Sequence, residues 1–112
     1  MPRSSPRQRT PEEEGVLDLL RKTVVCALGT QPARVYLFGS WASGTQHRAS
    51  DIDLAIEAPT KLPAGVLSRL REALEESRVP YRVDVVDLAE VDASFRARAL
   101  REGHVWIDLA SD

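Results

Sequence analysis

The chain has little of several things, and each shortage excludes a class. Its 112 residues hold one cysteine, Cys26, so no disulfide framework can form within it, and a reducing cytoplasm is the expected setting. No apolar run approaches the ~20 residues needed to span a bilayer, so no membrane association is expected. The formal net charge is only -2. Without a global basic field, direct nucleic-acid binding is not expected either. No internal repeat is visible, and no biased segment beyond the first ten residues.

What is present suits one folded unit. Apolar residues make up 43% of the chain and charged residues 29%, enough for a core and a solvated surface. Residues 1–10, with Arg3, Arg7 and Arg9 among Pro and Ser, read as a flexible basic tail and not as a secretory signal. Residues 11–112 read as a single domain.

Thr10-Pro11-Glu12-Glu13 is a helix start: Thr10 caps, Pro11 suits the first turn and Glu13 closes a capping box. Val16, Leu20, Thr23, Val24 and Ala27 then repeat at helical spacing, with Cys26 near that face as a small buried hydrophobe. "RVYLF" (34–38) is a short buried strand, followed by a tight turn into a brief helix over 39–44. "DIDLAIE" (51–57) alternates strictly, with Ile52, Leu54 and Ile56 pointing one way. Residues 63–77 predict a helix with Val66, Leu67, Leu70 and Leu74 as its stripe. "YRVDVVDL" (81–88) predicts a third strand, residues 92–102 a last helix, and "HVWID" (104–108) a terminal strand or a docking tail. The expected fold is α/β (α+β), a small mixed sheet of three to four strands flanked by helices.

Two features resist a purely structural reading. Asp51 and Asp53 interrupt an apolar strand and project from the same side, their Cα atoms roughly 7 Å apart. Asp84 sits between valines, in another position suited to apolar residues. If the two strands are neighbours, the three acids form a cluster whose members resist ionising together. Oxygen-only donors suit hard cations, and a pair of Mg²⁺ ions would relieve that repulsion. Gly39-Ser40 supplies the other half, a bend straight off a strand whose N–H groups and hydroxyl can seat a phosphate.

"GSWASGTQHRASDID" resembles the Gly-Ser, ten residues, Asp-x-Asp signature of the polymerase-β-like nucleotidyltransferases, and "YRVDVVDL" is similar to the strand that carries their third acid. The small size resembles the minimal nucleotidyltransferase group. The resemblance implies that Asp51, Asp53 and Asp84 are catalytic and bind two Mg²⁺ ions, with Asp84 also helping to deprotonate the incoming hydroxyl. It implies that Gly39 and Ser40 hold the β- and γ-phosphates of ATP. Relatives often carry Arg where this chain has Ser43, and Arg48 is the nearest replacement for nucleotide binding. Such enzymes transfer a nucleoside monophosphate to a hydroxyl and release pyrophosphate. Many prokaryotic members are antitoxins paired with a HEPN-domain toxin, and some add AMP to one of its tyrosines.

Two other readings stand beside that one: an antitoxin that neutralises its toxin by binding alone, and a small-molecule nucleotidyltransferase of the aminoglycoside-modifying type. A chain this short cannot enclose a nucleotide, which points to a homo-oligomer or a complex. Glu57 at the strand end reads as solvated. His47 and Arg48 read as loop residues beside the site, and His104 as structural. Trp41 divides evenly between flanking a base and packing the brief helix. Phe95 and Trp106 read as core or interface.

Overall fold

A computed structural model describes residues 9–43 and 51–109. Eight elements follow one another: α1 (Pro11–Leu28), β1 (Arg34–Phe38), α2 (Ser40–Ser43), β2 (Ile52–Glu57), α3 (Val66–Glu76), β3 (Val83–Asp87), α4 (Ala93–Glu102) and β4 (His104–Asp108). The start of α1 forms as its residues dictate. Thr10 accepts from the Glu13 N–H at 3.1 Å while the Glu13 carboxylate accepts from the Thr10 N–H at 2.9 Å, the reciprocal pairing of a capping box.

The strands make one mixed sheet in the order β3-β2-β1-β4. β1 lies antiparallel to both β2 and β4, with an irregularity between Val35 and Tyr36, and β2 pairs with β3 in parallel. A parallel pair needs a crossover, and α3 supplies it. The terminal "HVWID" segment is therefore a strand on the β1 edge.

Alternation gives the sheet two faces. Val35, Leu37, Ile52, Leu54, Ile56 and Ile107 are buried against Leu17, Leu20, Val24 and Leu28 of α1 and Val66, Leu70 and Leu74 of α3. Each such side chain contributes about 1.5–3 kcal/mol on burial, so this layer is the main source of stability. The opposite face buries Ala55 with Leu88 and Ala99 and gathers Tyr36, Phe38, Val86 and Phe95 around them. Phe95 thus falls within this smaller core, as its sequence context suggests.

The stripe of α1 is rotated from its expected position. Leu17 and Leu28 are buried, while Thr23 donates its hydroxyl to the Leu19 carbonyl at 2.9 Å. Cys26 is exposed, contrary to expectation. It lies two residues from both Val24 and Leu28, about 200° around a helix of 3.6 residues per turn, and so turns away from the core. Among the described residues, no helix is long and apolar enough to cross a membrane.

Candidate active site

The sheet face covered by α4 carries Asp53 and Asp84. In the parallel β2–β3 register Asp53 stands directly opposite Asp84, so both side chains leave the sheet on the same side. On the other flank of β2, Asp53 pairs with Phe38, the last residue of β1. Asp51, exposed, lies two residues before Asp53 at the entrance to the strand.

The Asp53 carboxyl feels both of the other acids. Burial pushes the half-buried Asp53 carboxyl above the ordinary carboxylate range, and the charges of Asp84 and Asp51 push it further. Asp84 is exposed and has the Arg82 guanidinium 3.9 Å to its side. Among the described residues no three acidic, histidine or cysteine side chains stand at metal-liganding spacing. The donor set nevertheless fits a hard divalent cation: it is all oxygen, and its mutual repulsion is what a cation relieves.

Gly39 completes the arrangement. It adopts φ 75°, a left-handed conformation that favours glycine. A Cβ built there would strike the Asp53 Oδ2 oxygen. The bend is thus bare because the carboxylate occupies the space above it. Ser40 then opens α2, and the Ala42 N–H donates to the Gly39 carbonyl at 3.1 Å.

Core contacts hold this turn in place. Trp41 is 1% exposed and meets the Tyr81 ring edge-on, with centroids 5.0 Å apart. Of the two readings, its burial favours packing: Trp41 anchors the brief helix in the core. Arg9 donates to the Trp41 carbonyl at 3.0 Å and pairs with Glu14 at 3.5 Å. The end of the segment read as a tail is therefore tied to α2. Sequence reasoning missed this contact, which joins residues 32 positions apart and leaves no local pattern. Phe38 was also missed, although strand alternation and its place before Gly39 put it on the face of the acids.

Arg48, His47 and the side chain of Ser43 lie outside the described residues. Glu57 is not solvated as expected. It accepts from the Tyr36 hydroxyl at 3.0 Å and from Arg96 at 3.2 Å, with Arg34 3.9 Å away. This cluster lies at the far end of β2 from Asp53 and joins the sheet to α4. Trp106 is half-buried beneath the Arg21 guanidinium, 5.2 Å from the ring centroid. His104 lies in β4, paired with Leu37.

The chain is similar to several known proteins. A probable protein adenylyltransferase, MntA, of Haemophilus influenzae is 42% identical over 62 residues, covering 55% of this chain and 54% of its own length. The chain spans about half the length of the curated relatives it matches. Among solved structures, a toxin–antitoxin complex with AMP-PNP is 31% identical with TM-score 0.60, the match covering 83% of this chain and 71% of that one. A structure described as a minimal nucleotidyltransferase is 27% identical with TM-score 0.68, over 83% of this chain and 94% of that one. The profile of the family "Polymerase beta, Nucleotidyltransferase" matches residues 24–110. A match over that much of the chain, spanning Gly39, Asp53 and Asp84, means that the chain belongs to the polymerase β nucleotidyltransferase family.

Proposed function

We propose that this chain is a Mg²⁺-dependent nucleotidyltransferase that moves AMP from ATP onto a hydroxyl of a partner protein, a tyrosine of a HEPN-type toxin, and so acts as its antitoxin. One observation carries the reading. Asp53 lies between the bare α-carbon of Gly39, in the bend after β1, and Asp84 on β3, so the bend read as a phosphate seat adjoins an acidic pair. Support also comes from the Haemophilus influenzae relative, described as a probable protein adenylyltransferase, and from the AMP-PNP complex of a toxin–antitoxin pair.

In this mechanism Gly39 lets the backbone approach the outer phosphates, and Ser40 follows it with a second N–H and a hydroxyl. Asp51, Asp53 and Asp84 are the residues that would hold the divalent ions. When bound, those ions offset charge developing on the transferring phosphoryl group. Asp84, the more exposed of the strand pair, receives the proton of the incoming hydroxyl. The acceptor approaches from the exposed side of Asp84. The attacking oxygen then meets the α-phosphorus in line with the departing pyrophosphate. In place of an Arg at Ser43, Arg48 adds positive charge for the nucleotide.

The test is incubation with ATP, Mg²⁺ and the product of the adjacent gene, followed by intact mass. The partner gains mass in AMP units, and Asp51→Ala/Asp53→Ala abolishes the gain. A tight complex formed without any added mass would instead support neutralisation by binding alone.

A further inference from the structure

β3 is an outer strand of the sheet, with β2 on one side only. The Ile52 N–H donates to the Arg82 carbonyl and the Leu88 N–H to the Ile56 carbonyl, each at 2.9 Å. Backbone groups along a parallel ladder alternate in direction. Arg82, Asp84, Val86 and Leu88 therefore bond toward β2, while Val83, Val85 and Asp87 turn their backbone groups outward. At the Asp87 end a turn meets this outer side, with the Glu90 N–H donating to the Asp87 carbonyl at 2.9 Å. Beside Asp84 it is α3 that does so: the Arg71 guanidinium donates to the Val85 carbonyl at 2.9 Å. Leu70 and Leu74 of α3 are buried. Arg71 lies about 100° around the helix from Leu70, on the flank that reaches the sheet edge. It is exposed, and it lines a cavity of ≈ 480 Å³ together with Asp84.

We infer that Arg71 is a positioning residue for the third acid: by gripping the outer side of β3 at Val85, it keeps Asp84 opposite Asp53. The inference rests on the nucleotidyltransferase reading of Asp84. An edge strand is held by a ladder on one side alone, whereas a working side chain has to stay within about 0.5 Å of its productive place. Asp84 and Val85 share one planar peptide, so a shift of the Val85 carbonyl moves Asp84 with it. An exposed edge carbonyl can be satisfied by water. What the guanidinium adds is a fixed link from that carbonyl to α3, a helix that Val66, Leu70 and Leu74 anchor in the core. Charge alone gives the opposite expectation, because a guanidinium near Asp84 competes with a divalent cation there.

Two measurements on the full chain test this, with Arg71→Met, which keeps the stem and loses the donors, and Arg71→Lys, which keeps a charged donor. Residue-resolved amide hydrogen exchange, without ligands, reads the strand. AMP transfer from ATP with Mg²⁺ to the product of the adjacent gene, followed by intact mass at varied ATP, reads kcat and KM. In Arg71→Met the Asp84 and Val86 amides are expected to exchange roughly 3- to 10-fold faster, the scale of one lost hydrogen bond, while those of β1 keep their rates. The same variant is expected to lose roughly 10- to 100-fold in kcat, the usual scale of losing support behind a metal ligand, with KM for ATP within about twofold. Arg71→Lys restores a large part of both. Thermal melts confirm that both variants are folded. Unchanged exchange in β3 overturns the inference, and so does faster exchange with kcat intact, which makes Arg71 merely structural. A raised KM at unchanged kcat overturns it as well, because Arg71 then meets the nucleotide. A higher rate in Arg71→Met overturns it in favour of charge. Each of these leaves the enzyme reading standing, whereas a wild-type protein that transfers no AMP removes that reading and the role of Arg71 with it.

Discussion

The Asp53 carboxylate lies over the bare α-carbon of Gly39, in the space a Cβ would occupy. Gly39→Ala would therefore do two things: force a left-handed backbone on an alanine and displace the acid. The backbone term costs about 1–2 kcal/mol, read as a lower urea midpoint. Displacing a catalytic group by about an ångström costs roughly 10²-fold in rate, so AMP transfer is expected to fall by that order while the variant remains folded. Normal transfer by Gly39→Ala would show that the closeness of these two residues is irrelevant to catalysis.

Asp53 carries a cost in stability. Burial and two acidic neighbours raise its pKa in the folded chain. In the pH interval between the ordinary carboxylate value and this raised one, the folded chain holds a proton that the unfolded chain has lost. Stability from this group therefore declines as pH rises through that interval. In EDTA, Asp53→Asn is expected to melt above the wild type at neutral pH, and the gap should close as pH falls below the interval. Adding Mg²⁺ should stabilise the wild type more than the variant. AMP transfer by Asp53→Asn should drop at least about 10²-fold, the scale of losing one element of electrostatic stabilisation. Parallel melting curves for the two proteins at every pH would contradict this account.

Glu57 offers the opposite case, an acid on the same strand whose work is structural. Its carboxylate has a side-chain exposure of 26% and receives hydrogen bonds from Tyr36 and Arg96. Burial, followed by the bond and charge of Glu57, raises the pKa of the Tyr36 phenol. Removing the charge weakens a polar cluster that ties α4 to β1 and β2. Glu57→Ala is expected to cost about 1–3 kcal/mol in urea denaturation, with the transfer rate per folded molecule unchanged. A lost transfer rate at full stability would place Glu57 in the chemistry.

The bend after β1 depends on Trp41 and Arg9. Trp41→Ala empties a fully buried site and is expected to cost about 3–5 kcal/mol, a large share of the ~5–15 kcal/mol of a typical domain. Arg9→Ala removes a charged donor from the Trp41 carbonyl and is expected to cost about 1–2 kcal/mol. Because both act on one segment, the double variant should lose less than the two costs added together. Strict additivity in a double-mutant cycle would show that Arg9 does not act through Trp41.

Much of this was written locally. Strict alternation in "DIDLAIE" placed Ile52, Leu54 and Ile56 on the core face and Asp53 on the other, because strand side chains have a period of two. The box at Thr10 and Glu13 also depends on neighbours within one helical turn. The aspartates and Gly39 were conspicuous because acids and a flexible bend are out of place in buried strands.

Only the tertiary structure decided what distant segments did to one another. The parallel pairing of β2 with β3 brought Asp84 beside Asp53, and no residue pattern sets that register without the α3 crossover. Glu57 became a structural anchor because α4 delivered Arg96 to it from 39 positions away. Cys26 turned outward because the core selected Leu17, Leu20, Val24 and Leu28 over a stripe shifted slightly around α1. Periodicity says which side chains share a face, whereas the partner of that face is chosen by packing across the whole chain.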